Sequence, residues 1–493
     1  MPNSNLPAQR LTRHIALPLL LVLVLAADLL MFGQEPGLNR FLTCLLVAAS
    51  LLLIAPSRNR TSAARVASVA ILSLLPMIEA PTLSSWILAS LGLVLLALAA
   101  GGLLPKDPTA IPATLARFVL KIPPRSFQGA GRLMQTRALP VTARGIGTEL
   151  RFWILPLILG AVFVGLFAGA NPLIERALEA IDLAAILNLI DLQRLSFWLM
   201  TAGLVWILLR PKLSRRFCRR SANQDIALVP PSVISEPVLF RALILFNLLF
   251  AIQTMLDMAY LWGGMELPEG MSHAEYAHRG AYPLVITALL AALFVLVAIP
   301  RGQGGAHTRL IRVLIYVWIA QNILLCLSAI LRLDLYIAAY SLTGMRVAAG
   351  LWMLLVAVGL ALILLRILFD KSNAWLFAMN AASLLVVLYG VAVTNIEGII
   401  ASYNVEHSRD LDGGGAWLDI EYLASLGPAA LPALDTYLAR ASFRQLPDFR
   451  LLTMYNIRRD LAFEVKIRSE DWRSWTWRAH RLEKHLAGPA PLD

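Results

Sequence analysis

The chain has 493 residues, of which 58% are hydrophobic and only 15% charged; a soluble domain sits nearer half apolar and a quarter charged, so a purely soluble globule is excluded. A net charge of +12 would raise nucleic acid as a partner in a soluble protein, but the positive-inside bias of membrane proteins accounts for it here, and no nucleic-acid partner is expected. Apolar stretches near the roughly 20 residues that cross the hydrocarbon recur along the chain without the short alternating segments of a β-barrel, so the expected fold is all-α: a polytopic helical membrane bundle of about eleven transmembrane helices with a small helical extramembrane C-terminal tail.

Arg10 and Arg13 precede an apolar run from Ile15, in the manner of a signal sequence. That run is long, has no convincing small-x-small cleavage site and is soon followed by another span, so an uncleaved first helix is expected. Windowed hydrophobicity places spans at 15–33, 38–55, 63–80, 83–104, 150–170, 196–210, 238–262, 281–300, 310–331, 347–368 and 374–400, within a bundle domain of residues 1–402. Basic loops cover 105–150 and 210–237, and opposite loops cover 171–195 and 263–280. The stretch Pro105–Leu150 either lies along anionic headgroups or is a solvated loop that sets topology. Pro172–Asp191 reads as an interfacial helix with Glu175, Glu179 and Asp182 on one face. The cysteines Cys44, Cys218 and Cys326 show neither disulfide nor metal spacing.

The tail, 403–493, mixes apolar and charged residues at helical spacing over Leu418–Leu426, Ala429–Ala441, Leu451–Val465 and Trp472–Leu486, punctuated by Pro428, Pro432 and Pro447. Trp472, Trp475 and Trp477 beside Arg473 and Arg478 suit either a membrane interface or packing within a small helical domain. Lys and Arg favour one set of loops about fourfold, which puts the amino end in the cytoplasm. An odd number of spans then places the tail in the periplasm of a bacterial inner membrane.

Ionisable and amide side chains within spans are costly and narrow the search for a site. Gln253, Asp257 and Tyr260 fall at i, i+4 and i+7, on one helix face, and Asn247, Gln321 and Asn322 are expected to make helix–helix hydrogen bonds. The following loop packs Glu275, His278 and Arg279 into a few residues. Asp257, Glu275 and His278 are the candidates for acid–base or proton-transfer chemistry. Gln253, Tyr260, Arg279, Arg332 and Asp334 are candidates for binding, with the arginines suited to an anionic group. With Asp28, Glu79 and Glu397 at the same depth, these residues either border an outward-open polar cavity or simply collect at the wet ends of the spans. Ser272 and Glu275 also fit a capping box. His273 and His278 are five apart, which does not match a metalloprotease helix, so no metal site is assigned, and no cofactor motif is present.

The blocks Phe246–Asp257, Tyr260–Gly264, Leu267–Met271 and Ala274–Pro283, with the later Trp318–Asn322, Leu331–Tyr336, Tyr403-Asn404 and Leu426–Pro432, resemble a bacterial membrane family catalogued as domain of unknown function four-one-seven-three. His273 stands where that family is expected to carry an aromatic residue. The resemblance implies a polytopic inner-membrane protein and supplies no reaction or catalytic residues. Three functions stay open: transport of a small or amphiphilic solute through an outward-facing polar site, an enzyme acting at the outer leaflet on lipid-linked or envelope substrates, and a scaffold or sensor whose tail binds a partner. The expected partners are the bilayer itself and anionic lipid at the basic loops.

Overall fold

The computed structural model of the chain describes residues 6–120, 191–211, 236–262, 306–411, 414–441 and 448–488, with a few single positions between 156 and 290. Among the described residues every regular element is helical. The helices are α1 (Leu6–Met31), α2 (Leu38–Ile54), α3 (Ser57–Leu74), α4 (Pro76–Glu79), α5 (Leu83–Ala100), α6 (Ile111–Leu120), α7 (Leu192–Leu209), α8 (Glu236–Asp257), α9 (Ala306–Tyr340), α10 (Gly344–Leu368), α11 (Asn373–Val393), α12 (Ile396–Glu406), α13 (Ile420–Ser425), α14 (Leu431–Ala441), α15 (Asp448–Ser469) and α16 (Trp477–Leu486).

Among the described residues, seven helical stretches are long and apolar enough to cross a membrane: Asn59–Glu79, Leu83–Ala100, Leu192–Leu209, Pro237–Tyr260, Arg309–Tyr340, Gly344–Leu368 and Asn373–Val393. Ala16–Met31 and Leu38–Ile54 are shorter apolar helices. The chain is therefore a multi-pass membrane protein, and the described residues carry seven such helices where eleven spans were expected. Spans 150–170 and 281–300 lie outside the described residues, apart from single helical positions. The sixth span, expected to be short, begins earlier because Asp191 accepts the Arg194 backbone N–H at 2.9 Å and caps α7. The last expected span, 374–400, is two helices: α11 ends at Val393, and Asn395 caps α12 through the Gly398 N–H at 3.2 Å. A hydrophobicity window averages across such a break.

The chain forms two compact units. The first holds Met1–Leu75, Ala89–Leu104 and Ala113–Ser214. In it α1 packs on α2 and α7, and α2 on α3. Gly92 of α5 lies so close to α3 that a Cβ would fall 1.8 Å from Ser73 Oγ, the close backbone approach that small residues permit between membrane helices. Val94, Leu98 and Phe118 bury together against Leu103, Leu115, Ile207 and Leu208.

The second unit holds Pro76–Leu88, Pro105–Pro112 and Arg215–Asp493. Helices α8 and α9 lie side by side, and α9, α10 and α11 follow as antiparallel neighbours. The two turns joining them each need a left-handed residue, Ser341 (φ 69°) and Asp370 (φ 48°). Their shared core is built from Leu243, Ile315, Trp318, Ile319, Leu360 and Leu376.

The tail belongs to this second unit and has its own core, in which Leu431, Leu434, Tyr437, Met454, Val465 and Leu482 close over Ala401 and Val405 of α12. Residue 402, where the boundary is expected, lies within α12. Three of the expected tail helices correspond to α14, α15 and α16, while Ile420–Ser425 is shorter than its expected range and is capped by Asp419.

Candidate functional site

In the second unit a set of polar side chains with buried polar atoms lies between α8 and α9. At 100° per residue, Asn247, Phe250, Thr254 and Asp257 share one face of α8, and Leu314, Trp318, Gln321 and Arg332 share one face of α9. Asn247 Nδ2 donates to Leu314 O at 3.1 Å, and Gln321 Nε2 donates to Asn247 O at 3.3 Å. Further along both helices Arg332 Nη2 donates to Asp257 Oδ1. Low numbers meet low and high meet high, so α8 and α9 run in the same direction. Phe246 stacks on Trp318 with centroids 5.3 Å apart, and Phe250 meets the same ring edge-on at 5.8 Å, giving the seam an aromatic wall.

The Asp257–Arg332 pair is the extreme point of this seam. Their side chains are 1% and 3% exposed. Gln253 Nε2 also donates to Asp257 Oδ1, at 3.0 Å, while Asp257 Oδ2 makes no hydrogen bond. Two ions at this depth are tolerable only as a pair, because the loss of solvation for either alone is several kcal/mol. Directly after Asp257 the helix opens into a π turn, Met258–Trp262, an irregularity often found at functional sites. It breaks the 3.6-residue period, so the expected common face of Gln253, Asp257 and Tyr260 ends at Asp257.

The same end of the unit carries the tail. Asn404 of α12 accepts the Leu342 N–H at 2.7 Å and donates to Leu342 O at 2.9 Å, pinning the turn after α9. Gly344 N–H donates to Tyr422 Oη at 2.9 Å. Arg478 of α16 donates to Glu397 Oε2 at 3.0 Å and to Thr394 O at 3.1 Å, and it lies 3.5 Å from Glu79, which Arg481 also holds. An open cleft of about 440 Å³ beside α12 is bordered by Asn395, Ser402, Tyr403 and Glu406. Burial first, and then the charge of Asp334, push the Tyr403 hydroxyl above its usual pKa.

Deeper in the tail, Tyr437 Oη donates to Asp410 Oδ2 at 3.0 Å, and Arg450 closes on the same carboxylate at 3.1 Å. Burial, and next the negative charge of Asp410, push Tyr437 up to about 12. Asp435 holds Arg458 and the His485 ring, the latter at 2.8 Å.

The first unit has a charged pair of its own. Arg194 of α7 forks onto Asp28 of α1 through Nε at 2.9 Å and Nη2 at 2.5 Å, and Trp198 Nε1 donates to Asp28 at 2.8 Å.

The candidates from sequence thus separate. Gln253, Asp257 and Arg332 come together. Tyr260 sits on the π turn, and Asp334, two residues beyond Arg332, is exposed. Glu275, His278 and Arg279 lie outside the described residues, as do His273 and the acidic stripe of Glu175, Glu179 and Asp182. In the second unit Glu79 and Glu397 bind the tail arginines and Asp257 binds Arg332, and in the first unit Asp28 binds Arg194. An anion at Arg332 would have to displace Asp257.

Thr254 was missed, although its place one helical turn before Asp257 is a readable signal. The contacts of Arg478 carry no sequence signal, since its partners lie far away along the chain.

A family model described as Domain of unknown function (DUF4153) matches residues 39–437. The chain belongs to the DUF4153 family. The number four-one-seven-three suggested by the sequence is not the one matched, though a family of unknown function is. The match takes in the α8–α9 seam and ends at Tyr437 in the tail core. No curated protein and no solved structure matches this DUF4153 chain.

Proposed function

We propose that this DUF4153 protein carries a small polar solute across a bacterial inner membrane along the α8–α9 seam, entering from the periplasmic end at Asp257 and Arg332. The observation that supports this reading is the buried Asp257–Arg332 pair at one end of a seam that also holds Asn247, Thr254 and Gln321. An ionisable residue inside a membrane span costs about 2.5–3.5 kcal/mol on insertion scales. Helix association does not require it, since amide contacts already join the two helices.

The second unit supports this sidedness. Arg309, Arg312, Arg366 and Lys371 stand at the end of α9–α11 away from the tail, where the positive-inside rule puts the cytoplasm. The tail then faces the periplasm. Anionic lipid is the partner that this proposal assigns to the basic loops 105–150 and 210–237, which lie mostly outside the described residues. Single cysteines at Gln253, Gln321 and Asn322, challenged in intact cells with a membrane-impermeant thiol reagent, test the path. Labelling to the depth of Gln321 is the expected result; labelling that stops at Asp257 would remove the transport reading.

A scaffold or sensory reading has one observation in its favour. Phe449, Leu452, Phe463 and Ile467 stay exposed on α15, outside the tail core. Truncation after Val405 should abolish function if the tail binds a partner, and wild-type growth of such a strain would reject that role.

A further inference from the structure

We infer that the α8–α9 seam takes a monovalent alkali cation and rejects anions; this rests on the transport reading and specifies its solute. The direction of the amides carries the inference. Asn247 commits its NH₂ to Leu243 O at 2.8 Å and Leu314 O at 3.1 Å. Gln321 commits its NH₂ to Asn247 O at 3.3 Å, and Asn322 commits its own to Trp318 O at 2.7 Å. None of the three can be turned over, because flipping would set an amide oxygen against a carbonyl oxygen.

The seam oxygens that remain, Asn247 Oδ1 and Gln321 Oε1, are buried and make no hydrogen bond, and Asn322 Oδ1, about 80° round α9 from the seam face, shares that condition. Thr254 Oγ1 and Asp257 Oδ2 share that condition, and Asn322 and Asp257 are each only 1% exposed. A buried acceptor left without a donor bears its full desolvation cost, so a native state with this many favours a donor or a cation among them.

A series of neutral oxygens can replace the hydration shell of a sodium or potassium ion, as carbonyl oxygens do in selectivity filters. An anion would be repelled by the amide and carboxylate oxygens. The positions from Asn247 to Asp257 extend about 15 Å along the helix at 1.5 Å per residue, so the oxygens form successive stations rather than one cage. Arg332, held on Oδ1 of Asp257, offsets the one formal negative charge. A station balanced in this way is weak enough to release its ion, which conduction requires.

The experiment is thermal unfolding of the purified full-length protein in detergent, in sodium, potassium or N-methylglucamine chloride at equal ionic strength, and in sodium chloride against sodium gluconate. A bound cation stabilises the native state by mass action, so sodium or potassium should raise Tm by about 2 °C or more over N-methylglucamine. Exchange of chloride for gluconate should change nothing. Gln321→Leu and Asn247→Leu should each shrink the cation-dependent rise. The wild-type comparison stands without them if either variant fails to fold.

Equal Tm in all three cations, or a Tm that follows the anion, overturns the inference. Deep thiol labelling of the seam together with cation-independent Tm would sink the cation and keep the path. Absence of deep labelling would sink both.

Discussion

Two aspartate–arginine pairs, one in each compact unit, show how differently the same two residue types can be used. Asp28 is saturated: it accepts two bonds from Arg194 and one from Trp198, and the Arg194 side chain is 47% exposed. Phe32 and Trp198 flank the guanidinium at 5.4 and 5.8 Å. Asp257 and Arg332 are both sealed, at 1% and 3% exposure, and one carboxylate oxygen makes no hydrogen bond. The first arrangement is a staple between α1 and α7. The second retains unused bonding capacity inside a helix long and apolar enough to span a membrane, and the proposed solute path rests on that capacity.

The largest effect should come from breaking the sealed pair. Asp257→Ala strands a buried guanidinium and should destabilise the second unit by about 3–5 kcal/mol, read from chemical unfolding in detergent. Replacing both partners, Asp257→Leu with Arg332→Met, should recover most of that stability and still abolish solute movement. A double variant as unstable as the single one would show that the pair is structural. Asp28→Ala should cost clearly less in the same assay, because Arg194 can turn to water; equal losses would erase the contrast between the two pairs.

Next in size is the tail clasp. Arg478→Ala removes the bonds to Glu397 and Thr394 O and the approach to Glu79, at about 1–3 kcal/mol for hydrogen bonds to charged groups. Limited proteolysis should then cut near α16 sooner than in the wild type, and an unchanged digestion pattern would count against the clasp.

Smaller again is the salt response. Raising ionic strength should weaken the contribution of the half-exposed Arg194 and leave the sealed pair unaffected, since screening reaches exposed charges far more than buried ones. The stability loss caused by Asp28→Ala should therefore shrink in high salt, while that of Asp257→Ala should not.

The smallest effect is confined to strong alkali. Tyr437 has its pKa raised from 10.0 to about 12 in the folded tail. Its proton is held more tightly when folded, so this contribution is complete below pH 10 and is lost as pH rises through 12. Tyr437→Phe should flatten the stability profile of the tail across that window.

Part of this was readable from residues alone. Gln253 and Asp257 were placed together because i and i+4 share a helix face, and the structure joins them by a hydrogen bond. Asn247 and Gln321 reach the neighbouring helix as intramembrane amides are expected to, whereas Asn322 bonds within its own helix. The break at Thr394 was passed over because hydropathy is a sum over a window, while a helix stop is a local backbone event at Asn395.

Apolar length by itself determined that this chain crosses a membrane as helices, because backbone polar groups in lipid leave no other form for stretches of this kind. Which carboxylate meets which arginine was decided only in three dimensions. The partners Asp28 and Arg194, Asp257 and Arg332, and Glu79 and Arg481 lie far apart in the chain, and their pairing depends on which helices become neighbours and in which direction each runs. Hydrophobic periodicity is blind to both, since lipid covers one apolar face as readily as another.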